Sequence, residues 1–301
     1  MSEFDWQLEK NKIISTQRKL TFAIALIMLV LILQLFGWKN FFSGKGAMEP
    51  HYIAEIAVGE NLDTDQEKFA ILESIADDEA VKAVIFTINS PGGGVYPSER
   101  YYNIIREISN KKPTVAVVED MAASGGYMVA MACDRIFAES MSITGSIGVL
   151  AQFGEMTDLA TKLGIKILSV KSTPLKGAPS PFEKYSKEAE EAITYIIKDL
   201  YNTFIFMLKE RRPNIADSNM EFIVSGRIFT GKQALTLGLI DQIGSKKNAK
   251  EWLYSTHKDL DSLPVKKHHF AEPKHKLLDY FKHLQTMVGK KVESPLSFMA
   301  K

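Results

Sequence analysis

The sequence is short of cysteine and of net charge. Cys133 is the only cysteine among 301 residues, which excludes an intramolecular disulfide and a zinc site built from several cysteines. The 37 basic and 36 acidic residues leave a formal net charge of +1, so the composition argues against a strongly basic protein that binds nucleic acid. With 46% hydrophobic and 24% charged residues, the chain has the composition of a folded globular protein.

One segment near the N-terminus has no charged residue at all. Residues 20–38 read LTFAIALIMLVLILQLFGW, and sixteen of these nineteen residues are apolar. As a helix the segment would be about 28 Å long, which matches a hydrocarbon core of ~30 Å. A cleaved signal peptide is the alternative, but its apolar run usually spans about 7–15 residues and a small-residue cleavage site follows it. The segment therefore predicts an uncleaved membrane anchor.

Basic residues are distributed unequally around this segment. Four lie closely before it and two closely after it: Lys10, Lys12, Arg18 and Lys19, then Lys39 and Lys45. Because positively charged flanks stay in the cytoplasm, the N-terminus is expected inside and the rest of the chain outside. The expected organisation is a cytoplasmic N-terminus (1–19), a transmembrane anchor (20–38), a linker (39–51), a folded domain (52–256) and a basic tail (257–301).

Beyond residue 51 the chain alternates strand and helix patterns. Strands are predicted at 52–58, 81–88, 114–118, 135–138 and 165–170, and helices at 64–76, 96–108, 124–131 and 186–208. This alternation predicts an α/β fold with a mainly parallel sheet covered by helices. The tail is the least sheet-like part. Its residues 275–288 predict an amphipathic helix that packs on its own domain, contacts another subunit or lies on the membrane surface.

Three glycine-bearing loops connect the predicted strands and helices. Residues 89–94 read NSPGGG, where bare backbone N–H groups could hold an anion or lie beside a substrate backbone, although a simple turn has the same composition. Residues 121–127 read MAASGGY and place Ser124 between a strand and a helix. Residues 144–149 read TGSIGV, which by itself is typical of a tight bend.

Ser124 is the candidate nucleophile among these loops. At the start of a helix its hydroxyl lies at the positive end of the helix dipole, which favours an alkoxide. The N–H of the following Gly125 could face a developing oxyanion. The alternative is that Ser124 merely caps the helix.

A serine nucleophile needs a base, and histidine is absent between His51 and His257. Either a flanking histidine folds back, or a lysine whose pKa is lowered by burial replaces it. Four lysines follow residues 165–170, namely Lys171, Lys176, Lys184 and Lys187. Lys176 is favoured because its near neighbours are apolar or small and none is a carboxylate.

Four segments together resemble the signal peptide peptidase A family, the Ser/Lys membrane peptidases of bacteria. They are NSPGGGV (89–95), MAASGGYMVA (121–130), TGSIGV (144–149) and GRIFTGKQALTLGLIDQIG (226–244), in that order. The match covers about residues 52–256. The Clp protease and crotonase folds share the first loop, and the last segment favours the peptidase family over both. The resemblance implies a Clp/crotonase-like α/β fold preceded by one transmembrane helix.

The resemblance also implies roles for five residues. Ser124 matches the nucleophile of the family and Lys176 its general base. Ser146 matches a serine that orients the lysine amine, and Gly93 and Gly125 match the oxyanion donors. Around the base, this chain has Leu175 and Gly177 where the family commonly has Tyr or His and Ser or Asp.

The implied function is a membrane-anchored serine endopeptidase that degrades cleaved signal peptides and similar hydrophobic peptides. It would need neither metal nor organic cofactor, and it would bind no nucleic acid. The family implies a homo-oligomer at the bacterial inner membrane, with the catalytic domain on the extracytoplasmic side. Two alternatives remain open, a catalytically idle membrane scaffold or regulator and a crotonase-like enzyme acting on acyl-CoA.

Overall fold

The computed structural model describes residues 3–35 and 50–268 and divides the chain into two compact units, Met1–Pro50 and His51–Lys301. In the first unit, helix α1 spans Glu3–Leu35. Its stretch Ile14–Leu31 is long and apolar enough to cross a membrane. This stretch overlaps the anchor predicted at 20–38; residues 36–38 and the linker residues up to 49 lie outside the described part.

The second unit contains a sheet and its helical cover. The strands are β1 (Tyr52–Leu62), β2 (Val81–Gly93), β3 (Thr114–Ala123), β4 (Arg135–Ala138), β5 (Ile143–Gly145), β6 (Ile228–Thr230), β7 (Gln242–Ile243) and β8 (Val265–His268). The helices are α2 (Gln66–Asp77), α3 (Val95–Lys111), α4 (Gly125–Ala132), α5 (Thr157–Lys162), α6 (Lys187–Arg211), α7 (Asp217–Ile223), α8 (Gly231–Leu237) and α9 (Lys246–Thr256).

The eight strands form one sheet with the order β6-β5-β3-β2-β1-β8, and β4 joins β3 to β7. Every pairing is parallel except that of β5 with β6. β3 is long enough to pair with β4 through its first half and with β5 through its last residues. The expected fold class, a mainly parallel sheet with helical cover, is confirmed.

Alternation along the central strands divides the core between the two faces of the sheet. In β2, Val84, Phe86 and Ile88 face the larger cluster, which helices α2, α3 and α4 cover. Ala83 and Ile85 face the smaller cluster, which α9 covers with Ala249 and Leu253. The period of two residues follows from the pleat of a strand buried on both faces.

The strand predicted at 165–170 is wrong. In the structure these residues belong to no strand, and their apolar side chains are exposed; Leu168 is 91% exposed. Their β-branched composition indicates a surface that packs on a neighbour, and such a preference produces a strand only where a partner edge is available. On this side of the sheet, β5 pairs instead with the antiparallel strand β6.

The tail is less uniform than its composition predicts. Residues 265–268 form β8, which pairs in parallel with β1 from Ile53–Val265 to Ile56–His268. The sheet therefore extends past residue 256, into the segment expected to be the least sheet-like part of the chain. Tyr52 holds the new edge, since its hydroxyl lies 3.0 Å from His268 Nε2. The predicted helix at 275–288 lies outside the described residues.

Candidate active site

Three loops meet where the central parallel strands end. β2 ends at Gly93, β3 at Ala123 and β5 at Gly145, and these strands are neighbours in the sheet. The carboxyl ends of neighbouring parallel strands lie at one edge, which is where open α/β sheets bind their ligands. The three glycine-bearing loops of the sequence are therefore one site.

Ser124 has a strained backbone between β3 and α4. Its φ is 52° and its ψ is −120°, a conformation that costs a residue with a side chain on the order of 1–3 kcal/mol. Its N–H donates to Gly145 O at 2.8 Å. In the described part of the chain its hydroxyl makes no capping hydrogen bond to helix α4. The capping alternative is thus not realised, and the hydroxyl is half-exposed in a cleft.

Ser146 has a similar conformation one strand away. Its φ is 53°, and its N–H donates to Arg227 O at 2.7 Å. The preceding Gly145 has a φ of +91° and lies against the Phe229 ring, where a Cβ would be 2.7 Å from the nearest ring carbon. Gly145 therefore connects the two serines, because its carbonyl binds Ser124 while its own conformation positions Ser146.

The first glycine loop lies directly against Ser124. Gly92 has a φ of +108°, and a Cβ there would be 2.9 Å from Gly125 N and 3.0 Å from Ser124 Cβ. Gly93 lies against the backbone of Leu62 in β1 and is exposed to the cleft. These close approaches require glycine, and they bring the two expected oxyanion donors, Gly93 and Gly125, to the same cleft as Ser124.

The cleft has a volume of about 530 Å³ and is lined by backbone, hydroxyl groups and apolar side chains. Besides Ser124, Ser146, Gly93 and Gly125, its lining includes Val95, Ser98, Met128, Val149, Leu200 and Phe204. Within the described part of the chain, none of its lining residues has an ionisable side chain. Leu200 and Phe204 come from α6, and only their helical spacing of four residues signalled in advance that they share a face.

The long segment 226–244 holds the backbone around this site in place. Its strand β6 supplies Phe229, and Arg227 just before β6 supplies its carbonyl oxygen, to the loop around Ser146. Thr230 and Gln233 form a capping box that starts α8, and Gly238 ends that helix with a φ of +81°. Asp241 then accepts hydrogen bonds from Ile136 N at 2.7 Å and from Arg212 at 3.0 Å.

Lys176 lies outside the lining of the cleft. It belongs to residues 150–185, which we call the arm, and its side chain is exposed. The arm contains the short helix α5, in which no residue is buried, and it carries many exposed apolar side chains, among them Leu150, Leu163, Leu168, Val170 and Leu175. A single chain thus brings together Ser124, Ser146, Gly93 and Gly125, and leaves Lys176 apart from them.

The other lysines of the sequence analysis lie near carboxylates. Lys171 donates a hydrogen bond to Glu183, which lowers the pKa of that carboxyl. Lys187 is paired with Glu191 at 3.9 Å, and Lys184 contributes to the lowered pKa of Glu155. Among these four, in the part of the chain that the structure describes, Lys176 alone forms no such interaction with a carboxylate.

Two buried groups near α4 have no nucleophilic role. Burial raises the pKa of the Cys133 thiol well above its usual range, so this cysteine remains a protonated, inert thiol at neutral pH. Burial likewise raises the pKa of Tyr127, whose hydroxyl donates to Leu239 O at 2.8 Å. These two side chains therefore anchor α4 in the core and leave Ser124 as the reactive group of this region.

Comparison with known proteins identifies the family. Residues 106–261 match the model of Peptidase family S49. A candidate protease of Methanocaldococcus jannaschii is 32% identical over 252 residues, which are 77% of this chain and 81% of that protein. The chain belongs to peptidase family S49. The match begins inside α3 and contains the loops of Ser124 and Ser146, whereas residues 89–94 precede it.

Other relatives agree with this family assignment. A candidate signal peptide peptidase of Enterococcus faecium is 35% identical over 198 residues, 64% of this chain and 56% of that protein. A chloroplast serine protease of Arabidopsis thaliana is 33% identical over 189 residues, 59% of this chain and 26% of that protein. The resemblance to signal peptide peptidase A is confirmed, and the chain is a serine protease of the S49 family.

Solved structures give a weaker likeness. The membrane-bound stomatin-specific protease 1510-N, in a variant form, has a TM-score of 0.49 and 15% identity, and the alignment covers 74% of this chain and 100% of that one. A second variant of the same protease, in complex with a substrate peptide, has a TM-score of 0.47 and 19% identity, covering 78% of this chain and 100% of that one.

Proposed function

We propose that this chain is a membrane-anchored serine endopeptidase that degrades cleaved signal peptides and similar hydrophobic peptides. The observation that carries the proposal is the cleft around Ser124. The hydroxyl of Ser124 makes no capping hydrogen bond, and the described residues that line the cleft offer backbone, hydroxyl groups and apolar side chains but no ionisable group. Such a cleft favours extended apolar peptides, because charged side chains would lose their hydration there without gaining a partner.

In the proposed reaction Ser124 is the nucleophile and Lys176 is the general base. The neutral amine of Lys176 takes the proton of the Ser124 hydroxyl as Oγ bonds to the peptide carbonyl carbon. The N–H groups of Gly93 and Gly125 donate to the resulting oxyanion. As the C–N bond breaks, the leaving amine takes the proton back from Lys176, and the same base then activates a water that hydrolyses the acyl-enzyme. Ser146 orients the amine.

The exposed position of Lys176 makes assembly part of this proposal. An ammonium in water has a pKa near 10.4 and is no base at neutral pH, so Lys176 has to be desolvated before it can act. A monomer would leave the apolar side chains of the arm in water, Leu168 and Val170 most of all. We infer that the arm packs on a neighbouring copy and delivers Lys176 to the cleft of that copy.

The location proposed for the enzyme follows from α1 and the charges around it. The stretch Ile14–Leu31 is long and apolar enough to cross a membrane, and the four basic residues that precede the uncharged segment 20–38 favour an N-terminus in the cytoplasm. The catalytic unit would then lie outside the inner membrane, beside the cleaved signal peptides. Protection of this unit from protease added to inside-out vesicles, but not to spheroplasts, would support this orientation. The reverse pattern would overturn it.

The deciding experiment compares full-length wild type with three variants in detergent micelles. The substrates are an unfolded protein and a hydrophobic signal-like peptide. We expect Ser124→Ala and Lys176→Ala each to lose activity by about 10³-fold or more. Lys184→Ala, an exposed lysine of the same arm, should retain it. Full activity in Ser124→Ala would refute the proposal, and an inactive but assembled wild type would favour the scaffold.

A further inference from the structure

Ser90 lies where the regular pairing of the central strands is interrupted. The register of β1 against β2 shifts between Gly59 and Asn61, and that of β2 against β3 shifts between Ile88 and Ser90. Glu60, inside the first shift, has a φ of 59°. At such an irregularity backbone groups leave the ladder and need other partners. The hydroxyl of Ser90 is completely buried at this point.

This hydroxyl connects β1 with the glycine loop. Ser90 Oγ donates to Glu60 O at 2.6 Å, and it accepts a hydrogen bond from Gly92 N at 3.1 Å. A further contact, 3.4 Å to Gly92 O, is longer and shares the same single proton. The Ser90 side chain therefore ties Gly92 to β1, in addition to the ladder in which Gly92 lies opposite Asn61.

A displacement of Gly92 would also displace the backbone around Ser124. A Cβ on Gly92 would be only 2.9 Å from Gly125 N and 3.0 Å from Ser124 Cβ. On the other side, Gly126 approaches so closely that a Cβ there would be 2.5 Å from Ser90 O. The segment from Ser90 to Gly92 thus lies against the first turn of α4 at both of its ends, and it leads directly into Gly93.

We propose that Ser90 is a positioning residue, whose hydroxyl holds Gly92 and Gly93 at the spacing from Gly125 that binds an oxyanion. The inference rests on the proposed function, because it assigns Ser90 to the reaction of Ser124. Ser90 is not among the residues that line the cleft. It acts through the backbone, so its loss should affect the charged intermediate more than the bound substrate.

The test compares Ser90→Ala with Ser142→Ala. Ser142 is a matched control, since its hydroxyl is also buried, donates to backbone carbonyls of β3 and accepts from Glu139 N at 3.1 Å. Both variants should lose similar stability. Ser90→Ala should lower kcat by about 10- to 100-fold with KM within about twofold, the effect of a misplaced donor, whereas Ser142→Ala should leave kcat unchanged. Equal kcat values in the two variants would overturn the inference.

Amide hydrogen exchange gives a readout that needs no catalysis. In Ser124→Ala, adding Ser90→Ala should speed exchange of the Gly92 amide by about tenfold or more, while the β1–β2 ladder stays protected. Unchanged exchange of the Gly92 amide would refute the proposed role of the Ser90 hydroxyl in holding Gly92. A wild type without Ser124-dependent hydrolysis would overturn the proposed function, and with it the catalytic role of Ser90. The exchange result then shows separately whether the Ser90 hydroxyl holds Gly92 in place.

Discussion

The two parts of the proposed active site differ in how they are held. The loops around Ser124 are closely packed, since their glycines touch neighbouring backbone and the N–H groups of Ser124 and Ser146 each have a defined acceptor. The arm that carries Lys176 is exposed along most of its length and buries little of its apolar surface. A single chain therefore holds the proposed nucleophile and oxyanion donors in place, whereas the proposed base depends on a contact of the arm with another surface.

The strongest test of this difference mixes two inactive variants. Ser124→Ala retains the lysine and Lys176→Ala retains the nucleophile. If the base comes from a neighbouring copy, co-assembly of the two in equal amounts should restore about a quarter of the wild-type activity, the fraction of randomly formed sites with both groups. Hydrolysis of the signal-like peptide measures this. No recovery in mixed assemblies would place both groups of a site in one chain.

Glycine substitutions in the two regions should differ in their effect on the rate of hydrolysis, by a smaller factor than the mixing experiment. Gly92→Ala has to accept a φ of +108° and a Cβ that crowds Gly125 N, so we expect hydrolysis to fall by roughly 100-fold. Gly154→Ala, in the arm, meets nothing within 4 Å and should leave the activity unchanged. Initial rates and thermal unfolding of both variants provide the comparison. A tolerated Gly92→Ala would show that the loop is less restricted than its packing indicates.

Charge on the arm should weaken assembly without altering the cleft. Leu168→Asp with Val170→Asp places two carboxylates where the apolar side chains are almost fully exposed. Because these side chains would be buried between copies, we expect the assembly to shift towards monomer by about tenfold or more in dissociation constant. Sedimentation velocity measures the shift, with Tyr195→Asp on the exposed face of α6 as the control. An unchanged assembly would contradict the role given to the arm.

The smallest expected effect concerns the arm at low pH. The hydrogen bond from Lys171 lowers the pKa of Glu183, so this pair contributes stability above the ordinary carboxyl pKa. That contribution is lost as pH falls through the lowered pKa in the folded state. Protection factors in residues 150–185, with the measured exchange corrected for the intrinsic rate at each pH, should therefore fall in acid, and Glu183→Gln should show the lower protection already at neutral pH. Equal exchange at neutral pH would show that the pair is irrelevant to the arm.

The sequence predicted the local parts of the fold well. Strands 81–88 and 135–138 and the helix after Ser124 correspond to β2, β4 and α4, because each carries its own periodicity and ends at glycine or a polar turn. It failed at 165–170, where the apolar pattern is real but these residues pair with no strand in the described part of the chain. It also failed at β8, since four residues pair there only because the edge of β1 is free.

For the site, residue types and order pointed to Ser124 and Gly125, and the family resemblance added Ser146 and Gly93; the structure brings these four residues to one cleft. The sequence alone determined that Ser124 follows a strand and opens a helix, that Gly93 and Gly125 are bare backbone, and that no histidine lies near them in the chain. These are properties of short segments, and short segments carry their own conformational preferences.

How those segments meet depends on the tertiary packing and was not evident from the sequence. The tertiary structure placed Gly145 O on the N–H of Ser124, brought Leu200 and Phe204 from a distant helix into the cleft, and left Lys176 outside it. It also revealed the buried hydroxyl of Ser90 between Glu60 and Gly92. These contacts join residues that are far apart in the chain or that lie in irregular turns. Their geometry is determined by the packing of the sheet and by close approach of backbone segments, and not by local conformational preference.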